Sequence, residues 1–77
     1  MEFTLKGQRY DLDRRKVEDR MRDVAPELGR RHYVEIGGRR YPVKQVLGDV
    51  LSMTRLDFTT QDARNILKRL GFEVHEQ

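Results

Sequence analysis

The stretch VEIGGRRYPVKQVLGDVL, residues 34–51, decides the fold because its hydrophobic spacing changes partway along. In its first half, apolar and polar residues alternate on both sides of two glycines, which is the pattern of a half-buried hairpin. The alternating apolar residues are Val34, Ile36, Tyr41 and Val43. From Val43 onward the apolar side chains recur at intervals of three and four residues, as on one face of a helix. The stretch therefore predicts two antiparallel strands that lead directly into an amphipathic helix.

The glycines of this hairpin supply the positive φ angles that a tight turn requires. We expect the turn to lie at Gly38-Arg39, which pairs Ile36 with Tyr41. In that register Arg39 lies at the tip, and Arg40 projects from the strand face opposite Tyr41. Hairpin geometry explains the glycines and the tyrosine, but it gives no reason for two consecutive arginines.

Another hairpin is predicted at the N-terminus, where apolar residues alternate around Gly7-Gln8. A turn there pairs Leu5 with Tyr10 and Phe3 with Leu12, so that all four side chains share one face. A helix should follow, with Asp13 as its N-cap. Its apolar positions are Val17, Met21 and Val24. Because Pro26 is hostile to a helix interior, we expect this helix to end near Ala25.

The last third of the chain predicts a helix with well-defined ends. Thr59 is the expected N-cap, and Asp62 three residues later completes a capping box. The apolar stripe consists of Ala63, Ile66, Leu67 and Leu70. Gly71 is expected to end the helix in a left-handed conformation. Phe72 and Val74 then alternate as a short final strand.

These elements predict one small α+β domain that spans residues 1–77. The expected order is ββαββααβ, with antiparallel hairpins forming one sheet and three helices packed on one face of it. No apolar run approaches the ~20 residues of a membrane span. The N-terminal residues also lack the basic-then-apolar layout of a signal peptide, so we expect a cytoplasmic protein without membrane contact.

Catalysis is not expected, because the residues that enzymes use are sparse. The chain has no cysteine and only two histidines, His32 and His75, which we interpret as ordinary surface residues. There is no glycine-rich phosphate loop, and no paired carboxylates beyond turn and cap positions. The sequence therefore predicts a protein that is not an enzyme, with no cofactor and no metal site.

The net charge of +3 is concentrated in one part of the chain. Residues 1–29 hold equal numbers of basic and acidic side chains, whereas residues 30–44 hold five cations and one acid, Glu35. Arginine suits phosphate because its planar group donates two parallel hydrogen bonds. We therefore expect a nucleic-acid-binding surface composed of Arg30, Arg31, Arg39, Arg40, Lys44, Arg64 and Lys68. The plain alternative is that these charges only keep a small domain in solution.

Two segments, HYVEIGGRRYPVKQVLG (residues 32–48) and DFTTQDARNILKRLGFEV (residues 57–74), resemble the N-terminal head domain of McrA-like, modification-dependent HNH restriction endonucleases. The matching residues are Tyr33, Arg40, Tyr41, Pro42, Lys44, Phe58, Leu70, Gly71 and Phe72. Thr59-Thr60 replaces glycines that are usual in that family, and the nuclease domain is missing. The resemblance implies an accessory module of DNA-acting proteins and no cleavage activity.

The first functional hypothesis is thus a small nucleic-acid-binding protein that contacts the phosphate backbone, with DNA favoured over RNA. The alternative is a protein-interaction module, such as an adaptor, an antitoxin-like inhibitor or a small subunit, that docks on a larger acidic partner. A third arrangement is a homodimer that builds its binding surface across two chains.

Overall fold

Five short strands, three α-helices and one 3-10 turn make up the computed structural model, which describes residues 1–28 and 31–77. In chain order the elements are β1 (Glu2–Leu5), β2 (Gln8–Asp11), α1 (Arg14–Met21), β3 (His32–Ile36), β4 (Arg39–Pro42), α2 (Val43–Leu51), the 3-10 turn (Arg55–Asp57), α3 (Thr60–Arg69) and β5 (His75–Glu76). The predicted α+β class and the order ββαββααβ are confirmed.

The strands form two small antiparallel sheets, where the sequence suggested one. The first sheet is the β1–β2 hairpin, and the second has the order β4-β3-β5. Because β4 and β5 occupy both edges of β3, the first hairpin has no edge of that strand to join. Helix α2 packs against α1 and α3 and against strands β3 and β4 of the second sheet.

Both hairpins confirm the predicted strands, but the predicted registers are wrong by two residues. Phe3 pairs with Tyr10 across the first hairpin, and Val34 pairs with Tyr41 across the second. The second turn lies at Gly37-Gly38, with φ angles of 59° and 78°, because a two-residue turn of this kind requires positive φ at both central positions. A shift of two residues leaves every side chain on its expected face, since strand side chains alternate with a period of two.

Helix α1 begins as predicted, with the Asp13 side chain accepting a hydrogen bond from the Lys16 amide. It ends at Met21, earlier than the predicted end near Ala25. Arg22 is the C-cap and keeps helical backbone angles, so the effect of Pro26 on the residues before it does not account for the earlier end. The buried hydroxyl of Tyr41 instead donates to the carbonyls of Met21 and Val24, at 3.1 and 2.7 Å.

Helix α3 is fixed at both ends as the sequence predicted. The Thr59–Asp62 capping box is present, and Gly71 has a φ of 96°. The Phe72 amide donates to the Leu67 carbonyl, which completes a Schellman motif. This bond holds Phe72 to the end of the helix, and the Phe72 ring is buried in the core. Residues 72–74 therefore form no strand, and the predicted strand there is wrong. The last strand, β5, forms only at His75–Glu76.

One hydrophobic core joins all three helices to the inner faces of both sheets. Its completely buried side chains include Val17, Met21, Val34, Tyr41, Val46, Leu47 and Leu67. Among the helices that the structure describes, none has the length and apolar content that crossing a bilayer would require.

Candidate nucleic-acid interface

A cleft of about 410 Å³ opens where α2 and α3 begin. Its lining residues are Arg31, His32, Pro42, Val43, Lys44, Arg55 and Thr60. These residues meet because β4 runs directly into α2 at Pro42, while the 3-10 turn brings the start of α3 back beside it. The lining contains three cations and no carboxylate, so the cleft favours an anion.

Lys44 is the central cation of this cleft. It is the second residue of α2, and its ammonium nitrogen lies 5.3 Å from the centroid of the Phe58 ring. Within the described ranges, no carboxylate forms an ion pair with it. Its half-buried stem keeps the charge close to the protein surface, where interactions with an incoming anion are less screened than in bulk water.

The two arginines of the cleft already have acidic partners. Arg31 lies 3.2 Å from the Glu76 carboxylate, and both side chains are largely exposed. Arg55 makes a close double contact with the Glu27 carboxylate. Exposed ion pairs of this kind contribute only about 0–1 kcal/mol, so an arriving phosphate can compete for Arg31. Lys44 therefore supplies the uncompensated charge, and Arg31 supplies hydrogen-bond donors for which a phosphate can compete.

A row of side chains extends from the cleft along α3. Thr60, Arg64 and Lys68 follow one another at four-residue intervals, so they lie on the same side of the helix. Thr60 lines the cleft, Arg64 is half-buried, and Lys68 is exposed. The acid of this helix, Asp62, is engaged in the capping box. We define the basic strip as Arg31, Lys44, Arg64 and Lys68, which Thr60 connects.

The remaining predicted site residues lie elsewhere. Arg39 is the first residue of β4 and lines a depression beside α1 together with Arg15 and Arg22. In the observed register Arg39 is the cross-strand partner of Ile36. It therefore lies on the inner face of the hairpin and not at the tip of the turn. Arg30 lies outside the described residues.

Arg40 is on the outer face of the second sheet. Its guanidinium lies 4.9 Å from the Tyr33 ring centroid, and its Nε is 3.7 Å from the Glu35 carboxylate. The ring of His75 also stacks on the ring of Tyr33, with the two centroids 5.2 Å apart. The expected cationic hairpin is therefore split, and of its cations that the structure describes, Arg31 and Lys44 join the row on α3.

Sequence reasoning missed three contributors to the cleft. Arg55 is absent from the predicted site, because its position near the starts of both helices depends on the path of the 3-10 turn. Thr60 carried a signal that could have been used, because the first residue after an N-cap lies at the mouth of any site at that helix start. His32 was interpreted as a surface histidine, but it is half-buried, and its Nδ1 atom is buried without a hydrogen-bond partner in residues 1–28 and 31–77.

The fold and the cleft define a small α+β protein with a cationic depression between two helix starts. A family model described as SCO5918-like matches residues 3–77, and the chain belongs to this family. Among curated proteins and among solved structures, nothing matches the chain.

The expected relationship to the head domain of HNH restriction endonucleases is wrong, because the matching family is a different one and no family of such endonucleases matches. The structure explains why the motifs misled. Tyr41 caps the end of α1, and Pro42 is the N-cap of α2. The sequence Leu70-Gly71-Phe72 forms a Schellman motif. These are local solutions for ending and starting helices, which unrelated folds also use.

Proposed function

We propose that this protein binds DNA through the phosphate backbone, using the basic strip. The observation that carries the proposal is the continuity between the cleft and the row on α3, because Thr60 belongs to both. Lys44, Arg64 and Lys68 have no ion-pair partner among the described residues, so their charges are available to phosphates.

The expected binding is weak and strongly dependent on salt. Each phosphate that a cation neutralises releases condensed counterions, so the four cations of the strip give a log–log salt slope of about −3.6 on duplex DNA. Without identified contacts to bases, the dissociation constant at physiological salt should be in the range of ~10⁻⁴ to 10⁻⁶ M. Such values are typical of sequence-independent backbone binding.

The test is a DNA titration at two salt concentrations with two triple variants of equal charge. The strip variant carries Lys44→Met, Arg64→Gln and Lys68→Gln, where methionine preserves the apolar stem over Phe58. The control carries Arg15→Gln, Lys16→Gln and Arg39→Gln, which removes exposed cations beside α1. The strip variant should bind at least about tenfold more weakly, with the magnitude of its salt slope reduced by about 2 to 3.

The control variant should retain the slope and nearly the full affinity of the unchanged protein. The opposite pattern, in which the control loses binding and the strip variant retains it, would move the interface to the α1 side and refute the assignment. Absence of DNA binding by the unchanged protein at low salt would refute the function itself. Thermal melts of both variants confirm that the fold is intact.

A protein partner is the second candidate, and a specific observation favours it. Leu28 and Leu56 are 90% and 95% exposed, and each is next to one member of the Glu27–Arg55 contact. Exposed leucines beside a charged pair are typical of a contact surface with an apolar centre. Loss of a stoichiometric partner from affinity purification with Leu28→Ser and Leu56→Ser, while DNA binding persists, would support this alternative.

A further inference from the structure

The cleft at the end of the basic strip has a chemistry that backbone binding alone does not require. We propose that it accepts a phosphate monoester, the terminal phosphate of a DNA strand, an inference that rests on the function proposed above. The remainder of the strip then holds the backbone that leads away from that end. The same chemistry would also recognise a free mononucleotide, and the experiment below separates the two sources.

The polar lining consists entirely of side chains that donate to phosphate oxygens. Arginine, lysine, histidine and threonine are all present, in the form of Arg31, His32, Lys44, Arg55 and Thr60. Four of them come from four different elements and Arg31 directly precedes β3, so the chain has to fold to assemble them. Arg31 presents a planar donor group whose exposed pair with Glu76 a phosphate can displace, whereas Arg55 keeps its double contact with Glu27 and adds positive charge at the edge. Lys44 presents a compact charge.

Two buried nitrogen atoms, one in the cleft and one in the adjoining row on α3, are without hydrogen-bond partners in the described parts of the chain. They are Nδ1 of His32, which lines the cleft, and Nε of Arg64, one helical turn after Thr60. Buried polar atoms in native proteins nearly always have a partner, and an ion that is not part of the chain is one accepted explanation for an exception. A phosphate in the cleft would be such an ion for His32, which is the lining residue of the two.

The start of α2 adds a favourable field to this cation-lined cleft. Val43 and Lys44, the first two residues of the helix, both line it. The N-cap residue, Pro42, makes no side-chain hydrogen bond to the amides of the first turn. The positive end of the helix dipole therefore faces the cleft without a capping oxygen in front of it, which reinforces the attraction of the cations for an anion.

A terminal phosphate fits this site better than a phosphate within a strand. A monoester carries nearly twice the charge of a diester and has three free oxygens, which matches several converging donors. The volume of about 410 Å³ exceeds the needs of a single phosphate and lies in the range of small-ligand sites, about 300–1,000 Å³. It can therefore admit the last nucleotide together with its phosphate.

The experiment measures binding of the full chain to otherwise identical short duplexes with 5′-phosphate, 3′-phosphate or hydroxyl ends. One phosphorylated end should bind about tenfold more tightly than hydroxyl ends, the effect of about one additional charge-assisted contact. Lys44→Met should abolish this preference, because Lys44 belongs to the cleft. Lys68→Gln is the matched control, since it removes a cation of the strip that lies outside the cleft. It should weaken binding to all duplexes equally and preserve the preference.

Equal affinity for all ends, or a preference that survives Lys44→Met, would overturn the inference and leave backbone binding in place. If the protein binds no DNA, the proposed function fails. An NMR titration that compares adenosine monophosphate with adenosine then tests whether the cleft binds a phosphate monoester. Amide shifts around His32, Lys44 and Thr60 with the monophosphate alone would support a phosphate site for a free nucleotide. No response to either compound would overturn it.

Discussion

Replacing Gln45 by leucine tests how the chain between α1 and β3 is held in place. Gln45 on α2 is 3% exposed, and it is the buried polar side chain among the described residues. Its Nε2 donates to the Ala25 carbonyl, and its Oε1 accepts from the Glu27 amide, both at 2.9 Å. The side chain thus satisfies two backbone groups of a segment that has no regular secondary structure. Glu27 in turn contacts Arg55 at the edge of the cleft.

Leucine has nearly the volume of glutamine, so the substitution leaves little cavity. The expected loss of stability therefore comes mainly from the lost hydrogen bonds. Each net hydrogen bond is worth roughly 0.5–1.5 kcal/mol, and a buried group left without a partner costs ~1–3 kcal/mol. Because the segment is only partly buried, water can form some of the hydrogen bonds that Gln45 made. We therefore expect a decrease of about 2–3 kcal/mol in the free energy of unfolding. That is a large fraction of the ~4–12 kcal/mol typical of 77 residues.

Urea denaturation measures this decrease directly. With an m value of about 1 kcal/mol per M, the midpoint should fall by about 2–3 M. Amide hydrogen exchange should show the largest local loss of protection at Glu27. Gln61→Leu on the exposed side of α3 is the control and should change stability by less than about 0.5 kcal/mol. An unchanged midpoint together with unchanged protection of the Glu27 amide would refute the role assigned to Gln45.

Three further predictions concern single side chains. Thr59→Ala removes the hydroxyl that accepts from the Asp62 amide, and the thermal midpoint in circular dichroism should fall by about 4–8 °C, the effect of ~1 kcal/mol; an unchanged melt would contradict the cap. Tyr41→Phe removes a buried donor to two carbonyls at the end of α1 and should lower the urea-derived stability by about 1–1.5 kcal/mol, whereas a more stable variant would show that the hydroxyl is dispensable. Glu76→Gln releases Arg31 and should strengthen DNA binding at low salt about twofold, as measured by fluorescence anisotropy; weaker binding would exclude Arg31 from the interface.

The parts of the fold that depend on local chemistry could be predicted from sequence. The caps of α1 and α3 are examples, since Asp13 and Thr59 act within one helical turn of their own positions. Hydrophobic alternation also identified the buried face of each hairpin. The register was missed because alternation fixes a face and leaves shifts of two residues open. Only the φ requirements of the turn, which favour Gly37-Gly38 over Gly38-Arg39, distinguish these registers.

The candidate site was predictable only in part, because it depends on contacts between distant segments. All four cations of the basic strip, Arg31, Lys44, Arg64 and Lys68, are among the residues that the sequence predicts for a binding surface. Arg39 was misplaced by the register error, which moved it from the tip of a turn to a position beside α1. Arg55 could not be assigned to the cleft, since nothing in the local sequence fixes the direction of a 3-10 turn.

The central claim is that the basic strip is the surface that meets DNA, and an NMR titration tests it most directly. Amide and side-chain signals of the ¹⁵N-labelled protein are followed while a short duplex is added at low salt. We predict that the shifts concentrate at residues 31–32, 42–44 and 60–68, with smaller changes beside Arg55. Shifts confined to α1 and the neighbouring Arg39, with the starts of α2 and α3 unaffected, would contradict the claim.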